Sequence, residues 1–466
     1  MSDARDDETD GRHEGWDGVR QGDRDGVRDE DGGDDRGEDR EGARDDDRSE
    51  GRDEDRRDEG GDVRDDDHGG GRSGMSAAKA RRVAAWRASG KVLWRSPAEP
   101  TLGERLTALA RDAGAVHDLT DRADMYGDGV VEALERRVAG LLGFPAAAFF
   151  PSGTMAQQVA LRCWAGRTGN PLVALHPQSH PVQHERDALS VVSGLRTVHA
   201  TQAPRLPTAD EVRGLDEPFG TLMLELPLRE AGFVLPSWEE LVDVVDAARE
   251  RDAVVHVDGA RLWECAPWFG RELPEIAGLA DSVYVSFYKS LGGLSGAALA
   301  GPEELVEEAR AWRHRYGGQV FQQFPAALAA LLGLERELPR LPSYAAHARV
   351  VAAALRDGLA ETAPWFRVHP DPPHTHQFTV WLPYEADVLT EAAVRQAEDT
   401  GVTLFRTWFA PGPAGPPGVA VTEVSVTAPG LEWSREDVVE AVRDFMARVT
   451  GGRAGRDGGL SPAQHA

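Results

Sequence analysis

The chain has 466 residues, with 79 acidic against 52 basic side chains, a formal charge of −27, 41% hydrophobic residues and two cysteines. That balance lacks the basic footprint of a general nucleic-acid binder and is equally unsuited to an anionic membrane surface. Cys163 and Cys265 are too few for a disulfide framework or a four-ligand zinc site, so the sequence reads as cytoplasmic and metal-free. No apolar run approaches the roughly 18 residues of a membrane span, and the N-terminus lacks a signal-peptide apolar stretch.

The charge is unevenly spread. Residues 1–74 hold 30 acidic side chains and 14 arginines, which makes −16 of the total. Trp16 and three valines are almost the only large apolar side chains there, too few to offset the entropy of ordering the backbone, so a disordered tail is expected. Translation from Met75 is the alternative, with the tail absent from the mature chain. Lysine occurs only at Lys79, Lys91 and Lys289, so 49 of the 52 basic residues are arginine. Arginine cannot supply a free amine, and a lysine inside an apolar segment therefore asks for a chemical reason.

From residue 75 the texture is globular. Residues 75–125 read as an N-terminal arm, followed by a large domain at 126–339, a small α+β domain at 340–450 and a loose tail at 451–466. Apolar side chains at Val130, Leu134, Val138, Leu141 and Leu142 have a helical period, and Phe144 to Phe150 reads as a short buried strand. A helix is expected from Met155 to Trp164. Leu222 to Leu224 and Ala253 to Val257 are expected strands, with a helix from Trp238 to Arg251 between them. A further strand from Asp281 to Tyr288 runs into Lys289. Helical sequence from Glu303 to Leu338 is interrupted at Gly317-Gly318. Alternating strands and helices predict an α/β fold with a mostly parallel sheet. In the small domain, strands at Phe378–Leu382, Val402–Phe405 and Val419–Val426 surround a helix at Ala386–Thr400, and Ser434 caps a last helix to about Val449.

Three positions then carry chemistry. Lys289 follows a strand and precedes the small-residue turn Ser290-Leu291-Gly292-Gly293, where ligands of open α/β sheets bind, and partial desolvation would make its amine nucleophilic. Asp258 ends the apolar run Ala253–Val257 and precedes Gly259-Ala260-Arg261, so it can be a buried acceptor for a protonated ring nitrogen. Pro151-Ser152-Gly153-Thr154 lies between strand and helix, a suitable anion site for a phosphate.

In this order the segments Met125–Gly129, Phe150–Thr154, Ser179-His180, His256-Val257-Asp258-Gly259-Ala260-Arg261 and Tyr288–Gly292 make residues 92–450 resemble the threonine aldolase and β-eliminating lyase family. The resemblance implies the aspartate-aminotransferase-type fold (pyridoxal-phosphate fold type I, with a seven-stranded type of sheet), pyridoxal 5'-phosphate as cofactor, an amino-acid substrate and a homodimer or homotetramer. It implies that Lys289 carries the cofactor and that Asp258 faces the ring nitrogen. By the same resemblance His180 stacks on the ring and acts as a base, while Ser152, Gly153 and Thr154 hold the phosphate. Arg261 is implied near the phenolic oxygen or substrate carboxylate. Ser96 and Tyr126 are implied near the substrate, Tyr126 in a segment that approaches the neighbouring subunit. Arg406 is the candidate replacement for a carboxylate clamp that falls on Val424–Thr427 here. Glu225-Leu226-Pro227-Leu228-Arg229 replaces the family's E-N-T-H-N and leaves its second histidine unmatched, and Phe321 stands where a phosphate-binding arginine is common. The expected activity is retro-aldol cleavage of a β-hydroxy-α-amino acid, with β-elimination or a non-catalytic member of the fold as alternatives.

Other motifs point elsewhere with less force. His176, His180 and His184 recur every four residues, but Pro177 and Pro181 oppose the continuous helix that metal binding would need. His369, His374 and His376 lie in a Pro-rich stretch and are expected to be solvated, and Trp263 and Trp408 are candidates for lining an enlarged pocket.

Overall fold

A computed structural model describes residues 77–96, 99–411 and 416–454. The acidic segment 1–74 and Met75 lie outside the described residues. Among the described residues twelve strands occur in chain order: β1 Lys91–Val92, β2 Ala146–Phe150, β3 Leu172–Ala174, β4 Arg196–Val198, β5 Thr221–Glu225, β6 Val254–Gly259, β7 Ser282–Ser286, β8 Ala297–Gly301, β9 Arg367–His369, β10 Gln377–Leu382, β11 Val402–Thr403 and β12 Ala420–Ser425.

Seven of them form one sheet in the order β2-β8-β7-β6-β5-β3-β4. Neighbours from β7 to β4 run parallel, and β8 runs antiparallel between β7 and β2. All residues of β5, β7 and β8 are buried, because helices cover both faces of such a sheet and leave no solvent side to alternate with. The fold is therefore α/β of the type expected. A second sheet, β12-β10-β9, is antiparallel, and β1 pairs with β11. Two large apolar clusters follow this division, one around Leu134, Val257 and Phe287, the other around Phe378, Leu389 and Phe445.

The helix at Val130–Leu142 ends at Gly143, whose φ of 73° is the left-handed conformation glycine tolerates best. Other boundaries move. The helix after Ser152 spans Gly153–Thr168, and the one at Trp238 ends at Arg249. The strand expected from Asp281 to Tyr288 stops at Ser286, because the Gly293 N–H donates to Phe287 O at 2.8 Å and turns the chain back. Only Val402–Thr403 of the expected Val402–Phe405 is paired, and Leu404 and Phe405 pack into the second cluster. The last helix runs on to Ala454, into the stretch expected to be a loose tail.

Trp263 and Trp408 pack in the core instead of lining a substrate cleft. Both are buried: Trp263 Nε1 donates to Ser286 O at 2.9 Å, and Trp408 stacks on Phe445. Of the histidines in the Pro-rich stretch, His376 is buried, and His369 and His374 are half-buried. His369 ends β9 with Nε2 3.0 Å from Ala231 O, His374 stacks on Trp268 at 3.7 Å, and His376 is buried. Composition suggested a wet loop, and the contacts of His376 with Val426 and Glu264 overrode that at this residue. Among the described residues no helix is long and apolar enough to cross a membrane.

Candidate active site

The carboxyl ends of β5, β6 and β7 bring three polar side chains into one row. Glu225 is in register with Asp258, and Asp258 with Tyr284. These residues line a cleft together with Gly153, Thr154, His180, Arg261 and Lys289. Strand ends are where an open sheet has no following strand residue to cover the crevice, so polar groups can collect there.

Asp258 is 1% exposed, and its Oδ1 accepts the Ala260 N–H at 3.1 Å. Burial raises its pKa, opposed by the charge of His180 and by that N–H. Two residues earlier on the same face of β6, His256 lies between Ser282 Oγ at 2.8 Å and Gln157 Oε1 at 2.7 Å. Burial lowers its pKa to about 3, so it stays neutral beneath the site.

The helix Gly153–Thr168 points its N-terminus at the cleft, capped by Ser152, whose Oγ accepts the Met155 N–H at 3.3 Å. A Cβ at residue 153 would lie 2.1 Å from Tyr284 Oη, so only glycine lets the hydroxyl approach the helix start. The unpaired N–H groups of that first turn attract an anion. Lys289 lies three residues beyond β7, with Nζ 4.9 Å from the Tyr288 ring centroid.

His180 opens a short helix, His180–Gln183, and its backbone N–H donates to Glu225 Oε2 at 2.7 Å. Its Nδ1 is 3.0 Å from Glu185 Oε1, and Glu185 is itself held by Gln158 Nε2 at 3.0 Å. His184 sits beside it, ring centroids 5.2 Å apart, with Nε2 3.0 Å from Glu230 Oε1. Arg229 reaches Glu230 at 2.8 Å and Glu423 of β12 at 2.7 Å. Arg261 stacks over Phe233, and its Nε donates to Gln377 Oε1 at 2.9 Å.

Six of the residues singled out from sequence thus share one cleft: Gly153, Thr154, His180, Asp258, Arg261 and Lys289. Others do not line it. Arg406 donates to Trp94 O at 2.9 Å and pairs with Glu99, which also accepts the Ser96 N–H at 3.1 Å. Its guanidinium is held there, apart from the residues that line the cleft. Tyr126 is exposed and packs on Phe321 at 5.4 Å. Sequence reasoning missed Glu185, Glu230 and Tyr284, and took Glu225 and Arg229 only as the ends of a departing segment. The five-residue spacing from His180 to Glu185 was the one local signal. His176 is turned away, with Nε2 2.8 Å from Ala203 O, so the three spaced histidines do not converge.

An amine, a buried carboxylate and a helix N-terminus with unpaired N–H groups at the cleft suit the aldehyde, ring nitrogen and phosphate of pyridoxal phosphate. The model of the family described as beta-eliminating lyase matches residues 106–376. A low-specificity L-threonine aldolase from Escherichia coli is 32% identical over 245 residues, 51% of this chain and 73% of that one. One from Arabidopsis thaliana is 26% identical over 313 residues, 65% and 85% of the two chains. A solved structure from Exiguobacterium, assigned as an aromatic amino acid beta-eliminating lyase/threonine aldolase, is 33% identical with a TM-score of 0.71, covering 79% of this chain and 99% of that one. On this evidence the chain belongs to the threonine aldolase and beta-eliminating lyase family, and is a pyridoxal-phosphate-dependent lyase.

Proposed function

We propose that the protein cleaves a β-hydroxy-α-amino acid between Cα and Cβ, giving glycine and an aldehyde. One observation carries this reading: Lys289, Asp258, a helix N-terminus and an oriented histidine share a cleft, in a chain whose relatives bear the name threonine aldolase. Gly153 and Thr154 would hold the phosphate, with Ser152 fixing the helix start. Asp258 would face the ring nitrogen, Lys289 would carry the cofactor, and Arg261 would take the phenolic oxygen or the substrate carboxylate. The bound cofactor supplies an electron sink for the carbon bearing the amino group.

His180 has the geometry of a general base. The Glu185 carboxylate can only accept, so it keeps the proton on Nδ1 and leaves the Nε2 lone pair to take the β-hydroxyl proton. Glu225 holds the His180 backbone from below. Beta-elimination from another β-substituted amino acid is the second reading. It is favoured by the segment 225–229, which buries Leu228 and brings Arg229 to the cleft. The working unit is a homodimer or homotetramer, because Met125, Tyr126, Val320 and Phe321 leave apolar surface exposed.

Incubation of the purified protein with a panel of β-hydroxy amino acids tests the reaction. Glycine and aldehyde in equal amounts are expected; ammonia and keto acid without glycine would replace the aldolase reading by elimination. Lys289→Ala is expected to lose turnover and the borohydride-fixable covalent link to the cofactor, and retention of either would remove Lys289 from its role.

A further inference from the structure

Behind Lys289, away from the cleft, lies a buried acid and base that the proposed reaction does not use. Glu264 ends the short turn Leu262–Glu264, and its side chain is fully buried. Its Oε2 accepts the hydroxyl of Ser290, the residue after Lys289, at 3.0 Å. The same oxygen contacts Nε2 of His376, which directly precedes β10 and is 3% exposed.

The protonation of this pair follows from its partners. His376 Nδ1 is 2.9 Å from Val426 O. A carbonyl only accepts, so Nδ1 carries a hydrogen. Nε2 faces a carboxyl oxygen, and that contact needs one further proton, on Nε2 or on Glu264. Without it, a lone pair would face a carboxylate in a site water does not reach. Burial by itself would lower the His376 pKa, but Glu264 outweighs it and the net shift is upward. The other ionisable groups around the pair are Arg261, whose charge opposes that rise, the buried Cys265 thiol, and Tyr344, whose ring centroid is 6.1 Å from that of His376.

We propose that Glu264 and His376 are positioning residues for Lys289: the proton they share keeps the Ser290 hydroxyl docked on Glu264 and so fixes the turn that presents the lysine amine to the cleft. The proposal rests on Lys289 carrying the cofactor. As pH rises and that proton leaves, the two acceptors repel, Glu264 moves and the Ser290 anchor is lost. Glu264→Gln removes the titration without removing the shape, since its amide can donate to Nε2 of a neutral imidazole.

The test uses the full-length protein loaded with pyridoxal phosphate and labelled with ¹⁵N-histidine, titrated from about pH 6 to 10 as wild type and as Glu264→Gln, His376→Asn and Ser290→Ala. Two readouts are followed: histidine ring resonances and the pH midpoint of the visible cofactor band. In the wild type, one histidine transition is expected above the ordinary value of about 6.5. It should vanish in His376→Asn and Glu264→Gln, and the band midpoint should move by about half a unit or more in Glu264→Gln and Ser290→Ala. A band midpoint that stays put in both, with the band present, overturns the positioning role. A wild-type protein with no visible band overturns the cofactor reading and this proposal together, and the histidine resonances distinguish that case from misfolding.

Discussion

His180 is held at three points, its backbone by the sequence-distant Glu225 and its ring by the nearby Glu185 and His184. Since Glu185 sets which ring nitrogen is free, Glu185→Gln, which can donate as well as accept, should lower kcat about tenfold to hundredfold while KM changes little, as loss of oriented base catalysis would. Steady-state kinetics on the cleaved substrate check this, and an unchanged kcat would remove His180 from base duty. Glu225 offers a pH test. Burial first, then the Asp258 charge, push its carboxyl up to about 8. The folded state therefore binds a proton that the unfolded state releases near 4.3, so this contribution to stability is full below that value and is lost as pH rises through about 8. Thermal melts should show wild type losing stability more steeply than Glu225→Gln between pH 6 and 9; parallel curves would mean Glu225 is ionised throughout.

Among the elements, β5, β6 and β7 and the helix after Ser152 do most to place these side chains. Their existence was legible because continuous Val, Leu and Ala runs mark buried parallel strands, and a Ser-Gly-Thr turn marks a helix start. Their ends were less legible. The stop of β7 at Ser286 goes with Gly293 bonding back to Phe287, a local contact whose register the small-residue turn does not fix by itself. Gly153 is the element-scale counterpart. Because an added Cβ would meet Tyr284 Oη at 2.1 Å, Gly153→Ala should destabilise the protein by about 1–3 kcal/mol and weaken cofactor retention. Denaturant melts of both forms, with the cofactor retained after dialysis, measure the two effects, and a neutral substitution would mean that the tyrosine yields freely.

For the whole molecule, the cleft is tied to the second sheet by Arg229 to Glu423 and Arg261 to Gln377, contacts that span more than 100 residues of chain. Tyr126 and Phe321 pack with tilted rings while both remain about half exposed. If that face joins subunits, Phe321→Asp should shift the protein towards smaller species in light scattering; a wild type that is already monomeric would contradict the oligomer reading.

By itself the sequence determined the α/β class, the acidic leading segment's distinct composition, and the places of Lys289, Asp258 and the Ser152–Thr154 turn. Each of these is written in a few consecutive residues, as a strand run ending in a polar group or as a lysine in a chain otherwise built on arginine. Only the tertiary structure decided what surrounds them. Glu185, Glu225 and Glu230 gather at the histidines, Arg406 turns to Glu99, and His376 is buried in a stretch that composition marked as wet. Burial and pairing are set by chain segments far away in sequence, and a charge's role depends on the partner it meets after folding.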